Sequence, residues 1–286
     1  MLKYVPVPQT DIQLFDQNGY LIVRNALDSK TIQSLIQAGD RLINSNQTQN
    51  RQPGGEFYDS FRNSITLDDA FIPLINWPKI LNVVVQLLGA NLQIMTSHLI
   101  YKYPDPEDRP DSHRHPGWHR DYLQAMRDMG NAAIPRLLVK CAYYLTDLTQ
   151  PRQGATMVAA GSNRLEGGLT IPEGQTDPIT AVEPSLQAGD CLIFENRTFH
   201  AGALHRGQNI RKTIMVGYGY RWVVPMDYVT QEEDFLAKLT PWQRYLVGKP
   251  IEEVDEFLPG GTRNPIRDWC REHHIPDTRH PQPQRR

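Results

Sequence analysis

The chain has 286 residues, of which 40% are hydrophobic and 22% are charged, a composition that excludes a disordered or fibrous protein. Its formal net charge of −2 gives no overall bias toward nucleic acid or an anionic membrane surface, so we expect neither as a partner. The length suits a single domain over residues 1–286, with a core over about 15–222 and a helical C-terminal extension over 223–286.

The N-terminus and the cysteines indicate the cellular compartment in which we expect the protein. The opening MLKYVPVPQTDIQLF lacks a basic stretch followed by an apolar run, so it predicts neither a signal peptide nor a transit peptide. No run approaches about 18 uninterrupted apolar residues, which predicts no bilayer-spanning segment. Cys141, Cys191 and Cys270 are an odd, widely spaced set, which argues against a disulfide framework or a Cys-rich zinc site. We therefore expect a cytoplasmic protein.

Predicted helices flank a central region of predicted strands. Ser29 is a candidate N-cap followed by apolar residues at helical spacing, and a second helix over 78–88 should end at Gly89. Short apolar runs between turn residues predict the strands 92–101, 137–145, 155–159, 191–194 and 212–220. Three more helices are predicted at 231–239, 242–247 and 266–273. Short strands without intervening helices favour a sandwich or barrel over a doubly wound parallel sheet.

The stretch HPGWHRDY, residues 115–122, suggests two metal ligands. Alternate residues of an extended strand point to the same side, so His119 and Asp121 could present an imidazole and a carboxylate to one ion. A third ligand must then come from a distant part of the chain, and His200 and His205 are the later candidates before the C-terminal helices.

Two imidazoles and one carboxylate on one face of an octahedral ion leave three positions open, as in non-haem Fe(II) oxygenases. Those positions suit a bidentate co-substrate and dioxygen. A dicarboxylate co-substrate would also need a cation at its far end, for which a guanidinium fork is better suited than an ammonium. Arg211 stands eleven residues after His200, at the start of the strand RKTIMVGYGY, and is our candidate for that role.

These residues belong to a wider pattern that resembles the phytanoyl-CoA dioxygenase family, which includes the ectoine hydroxylases, within the Fe(II)- and 2-oxoglutarate-dependent oxygenases. The resemblance covers roughly residues 15–220. It is carried by FDQNGYLIVRNALD (15–28), WHRDY (118–122), YYLTDLTQPRQGATMVAAGSNR (143–164), AGDCLIFENRTFHAG (188–202) and Arg211.

The resemblance implies a mainly β fold with flanking helices around a double-stranded β-helix, the jelly-roll core of cupin-like proteins. It assigns Fe(II) to His119, Asp121 and His200 as the catalytic centre, and the far carboxylate of 2-oxoglutarate to Arg211. Lys102 and Lys140 lie on strands that help to hold the co-substrate or substrate in similar proteins. The implied reaction is the hydroxylation of an unactivated C–H bond in a small or medium-sized metabolite, using O2 and releasing succinate and CO2.

The sequence departs from the family pattern at two positions. Asn163 stands where the family's GSH block has its histidine, and Gly202 stands where a hydroxyl residue often follows the distal histidine. Asp121 is retained, whereas related halogenases have a small residue there that leaves room for chloride. The resemblance therefore favours a hydroxylase over a halogenase.

Two alternatives remain open from the sequence. HRHPGWH supplies His113, His115 and His119, which together with His200 would suit a cupin-like metal enzyme. The chain could also be a non-catalytic jelly-roll that binds a ligand. We expect a small-molecule substrate and a monomer or homodimer, while acyl-CoA thioesters, polar metabolites and natural products all stay possible as substrates.

Overall fold

A computed structural model describes residues 3–53, 57–130, 132, 134–251 and 263–279. Its helices are α1 (Gln9–Asn18), α2 (Ser29–Ile43), α3 (Pro78–Leu88), α4 (Leu123–Met129), α5 (Glu233–Ala237), α6 (Pro241–Leu246) and α7 (Pro265–Glu272). Its strands are β1 (Tyr20–Val23), β2 (Arg51–Pro53), β3 (Tyr58–Arg62), β4 (Leu92–Lys102), β5 (Leu138–Tyr144), β6 (Thr156–Ala159), β7 (Ala181–Val182), β8 (Cys191–Glu195), β9 (His200–Gly202) and β10 (Arg211–Tyr220). The predicted C-terminal extension falls partly outside the described residues.

Two antiparallel sheets form the core. The larger sheet has the order β1-β8-β5-β10-β4-β3-β2, and the smaller one has the order β7-β6-β9. Apolar side chains from both sheets, including Tyr144, Phe194 and Val158, pack together in one cluster. The predicted jelly-roll architecture with flanking helices is confirmed.

The helices cover the outer face of the larger sheet. Asp28 caps α2 by accepting a hydrogen bond from the backbone N–H of Thr31, and the buried face of α2 joins the main core. The 3-10 helix Asp69–Asn76 and α3 together make a stretch that is apolar and long enough to cross a bilayer by composition alone. Most of this stretch is buried inside the protein, as the core helices of globular proteins are.

Strand alternation decides which side chains face the space between the sheets. On β4 and β10 the register pairs Lys102 with Arg211 and His98 with Met215. All four side chains line the same cavity. The sheet therefore brings residues more than a hundred positions apart onto one inner wall.

Candidate active site

The backbone sets the two histidines side by side. His119 and His200 form an isolated antiparallel bridge, in which the His119 N–H donates to the His200 carbonyl at 3.0 Å and the reverse bond is 2.9 Å. Each ring also contacts a backbone oxygen through Nδ1, that of Gly117 at 2.8 Å and that of Thr198 at 3.0 Å. A proton on Nδ1 leaves the Nε2 lone pair free in both rings, which is the form that binds a metal ion.

Asp121 completes the cluster. Its side chain is buried, and Oδ1 accepts a hydrogen bond from Lys140 Nζ at 2.6 Å. Oδ2 is also buried, has no hydrogen-bond partner in the described structure, and lies 4.0 Å from His200 Nε2. Potential ligand atoms of His119, Asp121 and His200 all lie within 4.8 Å of one another. A buried carboxylate oxygen without a donor, beside two imidazoles, fits a bound cation.

The protonation states also fit a metal site. Burial opposes ionisation of Asp121, but the charge of the Lys140 ammonium, the charge of His200 and the hydrogen bond from Lys140 together outweigh burial and lower the pKa to about 2. Burial lowers the pKa of His200 to about 3, although the nearby Asp121 carboxylate opposes this shift. Near neutral pH the cluster therefore presents a carboxylate and a neutral imidazole without prior loss of a proton.

Trp118 and Arg120 alternate along the chain with the ligands His119 and Asp121, and their side chains bind other parts of the protein. Asp177 accepts hydrogen bonds from Trp118 Nε1 and from the Arg114 guanidinium, both at 2.9 Å. Arg120 donates to the carbonyl oxygens of Ser162 and Leu165, and its guanidinium lies 4.3 Å from the centre of the Phe199 ring. Asp177 and Arg120 were not predicted from the sequence, because no spacing rule connects them to their partners.

The cluster opens onto a cavity of about 270 Å³ between the two sheets. At one end are Arg211 and Lys102, whose side chains are almost fully buried. Arg211 donates to the Gly154 carbonyl at 2.7 Å, while its Nε has no partner in the described structure. Lys102 Nζ donates to the Ala203 carbonyl at 2.5 Å and lies 3.6 Å from Asp105. Two buried cations that line the cavity provide a place for a carboxylate.

The protonation of Lys102 should make the binding of a carboxylate at this end of the cavity depend on pH. Burial, reinforced by the charge of Arg211, lowers the pKa of Lys102 to about 8. A carboxylate bound there favours the charged ammonium, so above this pKa binding requires the uptake of a proton. We expect 2-oxoglutarate affinity to be constant below about pH 7 and to fall by up to about tenfold per pH unit above about pH 8. Anaerobic titrations at several pH values test this, and a Lys102→Arg variant with the same pH profile would contradict it.

The other lysine lies at the cluster itself. Lys140 lines the cavity and, through its hydrogen bond to Asp121 Oδ1, leaves only Oδ2 of that carboxylate free. The hydrogen bond from Lys140 orients the metal ligand Asp121. The expectation from the sequence was a direct contact of Lys140 with the co-substrate or substrate.

The remaining histidines lie outside the cluster in the described structure. His113 is exposed in the 3-10 helix Asp111–His113. His115 lines the cavity and makes an edge contact with Tyr58, with ring centres 5.8 Å apart. His205 Nε2 lies 2.6 Å from the Asn209 carbonyl. Only the set with Asp121 brings three potential ligands together among the described residues.

The contacts around Asn163 and Gly202 give a physical reason for each departure from the family pattern. Asn163 is buried away from the cluster and donates to Glu195 at 2.9 Å and to the Asp16 carbonyl at 3.0 Å, which fastens the end of α1. At Gly202 a Cβ atom would come within 2.5 Å of the His115 carbonyl oxygen. The chain before His119 occupies the space that a hydroxyl residue would need.

Gly202 therefore provides a test of this close approach. We expect Gly202→Ser to lower the free energy of unfolding by about 1 to 3 kcal/mol, because the added atoms push the backbone at His115 outward. Chemical denaturation measures the change. Gly117→Ser is the matched control, because a Cβ there meets nothing within 4 Å. Equal stability of the two variants would contradict the packing argument.

The comparisons with known proteins agree with this geometry. The sequence profile of the family described as Phytanoyl-CoA dioxygenase (PhyH) matches residues 15–213. Dioxygenase aneA of Aspergillus aculeatus is 30% identical over 135 residues, which span 44% of this chain and only 41% of that protein. Dioxygenase andF of Emericella variicolor is 24% identical over 228 residues, 74% of each chain.

Solved structures share the fold. HygX from Streptomyces hygroscopicus, determined with nickel and 2-oxoglutarate bound, superposes with a TM-score of 0.59 at 16% identity and covers 76% of this chain and 89% of its own. The non-haem alpha-ketoglutarate-dependent epimerase SnoN from nogalamycin biosynthesis gives a TM-score of 0.58 at 19% identity, covering 74% and 82% of the two chains. With the profile matching most of its length and the fold in agreement, the chain belongs to the phytanoyl-CoA dioxygenase family.

Proposed function

We propose that this protein is an Fe(II)- and 2-oxoglutarate-dependent dioxygenase that hydroxylates a C–H bond of a small or medium-sized metabolite. The observation that carries the proposal is the convergence of His119, Asp121 and His200 at one wall of a cavity whose far end holds Arg211 and Lys102. Membership of the phytanoyl-CoA dioxygenase family supports the enzyme class.

Each of these residues has a role that follows from its position in the cavity. Nε2 of His119, Nε2 of His200 and the free Oδ2 of Asp121 would hold Fe(II), while Lys140 orients the Asp121 carboxylate. When bound, iron, 2-oxoglutarate and dioxygen supply the oxidising chemistry, with release of succinate and CO2. Arg211 and Lys102, both buried in the cavity wall, would hold the far carboxylate of 2-oxoglutarate.

Hydroxylation is our choice within this class, because Asp121 occupies the ligand position that a halide would need. The neighbouring folds include an epimerase and, in SnoK from nogalamycin biosynthesis, a carbocyclase. Those reactions belong to those proteins, and product analysis distinguishes them from hydroxylation here. We further propose a cytosolic location, with which the three buried free cysteines agree.

The first experiment is anaerobic addition of Fe(II) and 2-oxoglutarate to the metal-free protein. We expect an absorption band at about 500 to 530 nm from charge transfer between iron and the chelating co-substrate. Admission of air should then convert 2-oxoglutarate to succinate. The absence of the band in folded, iron-loaded protein would overturn the proposal and favour the ligand-binding jelly-roll.

A further inference from the structure

The cavity has a second polar wall, which the proposed iron and 2-oxoglutarate sites do not use. It consists of Ser60 and Arg62 on β3 and His98 on β4, and all three side chains line the cavity. The register pairs Arg62 with His98, so that these two side chains lie beside each other.

This wall lies at a different level from the clamp proposed for 2-oxoglutarate. His98 precedes Lys102 by four residues on β4, a distance of about 13 Å at about 3.3 Å per residue. Across the sheet, His98 pairs with Met215, whereas Lys102 pairs with Arg211. A ligand group bound by Arg62 and His98 would therefore be a different group from the carboxylate bound at Arg211.

Polar atoms on this wall lack protein partners. Ser60 is fully buried, and neither its Oγ nor His98 Nε2 has a hydrogen-bond partner among the described residues. Arg62 donates to Thr96 Oγ1 at 3.2 Å, but its guanidinium remains 3.8 Å from Asp227, beyond hydrogen-bond distance. Buried polar atoms are normally paired, so unpaired ones that line a cavity point to a ligand.

The charge of the wall indicates the kind of ligand. Lys140 is bonded to Asp121, and Lys102 lies near Asp105, which also binds Arg109. Among the described residues, the carboxylate within 4 Å of the Arg62 guanidinium is that of Asp227, at 3.8 Å, and its Oδ2 already accepts hydrogen bonds from the Ser97 N–H and Thr96. Arg211, which also lacks a carboxylate partner among the described residues, is already assigned to the far carboxylate of 2-oxoglutarate. Arg62 is therefore the cavity cation that remains for a further anionic partner.

His98 supplies a neutral group beside this cation. Burial, reinforced by the charges of Arg62 and Lys140, lowers the pKa of His98 well below its usual range. A neutral imidazole offers one donor and one acceptor nitrogen. His98 would therefore add a hydrogen bond to a ligand oxygen that Arg62 binds. Because the imidazole is neutral, the ligand would not need a second negative charge to balance it.

We propose that Arg62 and His98, with Ser60 beside them, bind a carboxylate of the primary substrate, which makes that substrate an organic acid. The inference rests on the proposed dioxygenase function and narrows its substrate class. A guanidinium fork matches the two oxygens of a carboxylate, and a single carboxylate fits a cavity of about 270 Å³ that must also hold 2-oxoglutarate. An acyl-CoA thioester, which has no free carboxylate at its acyl end, is disfavoured.

The test uses matched pairs of carboxylic acids and their methyl esters, with aliphatic, aromatic and terpenoid skeletons. Each compound is added to enzyme loaded with Fe(II) and 2-oxoglutarate, and succinate formation is compared with the rate without it. We expect at least one acid to stimulate turnover about tenfold more than its ester. Arg62→Gln should abolish this preference and Arg62→Lys should retain part of it, because the lysine keeps the charge but loses the fork.

Arg41→Gln is the matched control, because Arg41 is an exposed cation on α2 paired with Asp68. It should keep the preference for acids in full. Equal stimulation by acids and esters, no stimulation by any acid, or an unchanged preference in Arg62→Gln would overturn the inference. The charge-transfer band is recorded for every variant: a band without acid preference refutes only the substrate class, whereas no band in the parent protein refutes the dioxygenase function.

Discussion

Replacing His200 by alanine should abolish tight Fe(II) binding, with a loss of metal affinity of at least about 100-fold and of nearly all 2-oxoglutarate turnover. His200 supplies one of the three potential ligand groups that the described residues bring together in this cluster, and its backbone is bridged to that of His119. Equilibrium dialysis followed by metal analysis measures the affinity. Circular dichroism of the same sample checks that the bridge and the sheet survive.

His115→Ala is the matched control for this prediction. His115 is a histidine that lines the same cavity, yet it lies outside the cluster. We expect this variant to keep both iron and the charge-transfer band. Loss of metal in both His115→Ala and His200→Ala would instead support the cupin-like alternative, and retention of iron in His200→Ala would contradict the assigned cluster.

Arg211→Met should raise the dissociation constant for 2-oxoglutarate by about 100-fold while leaving iron bound. The Arg211 guanidinium is buried, and its Nε lacks a partner in the described structure, so a carboxylate there would gain a charge-assisted hydrogen bond. Titration of the charge-transfer band under anaerobic conditions gives the constant directly.

Lys212→Met is the appropriate comparison, because it removes a cation from the next residue of the same strand. Lys212 points to the opposite side and contacts Asp40 at 2.6 Å. Its loss should leave the dissociation constant for 2-oxoglutarate unchanged. An unchanged constant in Arg211→Met would show that the co-substrate carboxylate binds elsewhere in the cavity.

The sequence predicts those parts of the fold that have strong periodic patterns. The helix over 78–88 and the strands β4, β5 and β10 were found with bounds close to the observed ones, because each combines an apolar run with clear end signals. The helix predicted over 231–239 is shorter in the structure, where α5 covers Glu233–Ala237.

Other elements depend on tertiary contacts that no local pattern reveals. The strand β3, YDSFR, is mostly polar on the side that faces the cavity, so its sequence does not look like a buried strand. The hairpin of β2 and β3 was consequently missed, and with it Arg62 and Ser60. The alternation around His119 placed two potential ligands correctly on one side, but the inward direction of Lys102 and Lys140 follows only from the strand pairing.

The contact between Lys140 and Asp121 has an evolutionary consequence. The two residues lie on separate segments, and both side chains are largely buried. A mutation that removed the carboxylate alone would leave an ammonium without a counterion, at a cost of about 3 to 5 kcal/mol. Positions 121 and 140 should therefore change together among descendants of this protein. A lineage that lost Asp121 but kept Lys140 would need a replacement anion, and a halide in the vacated ligand position would supply that charge.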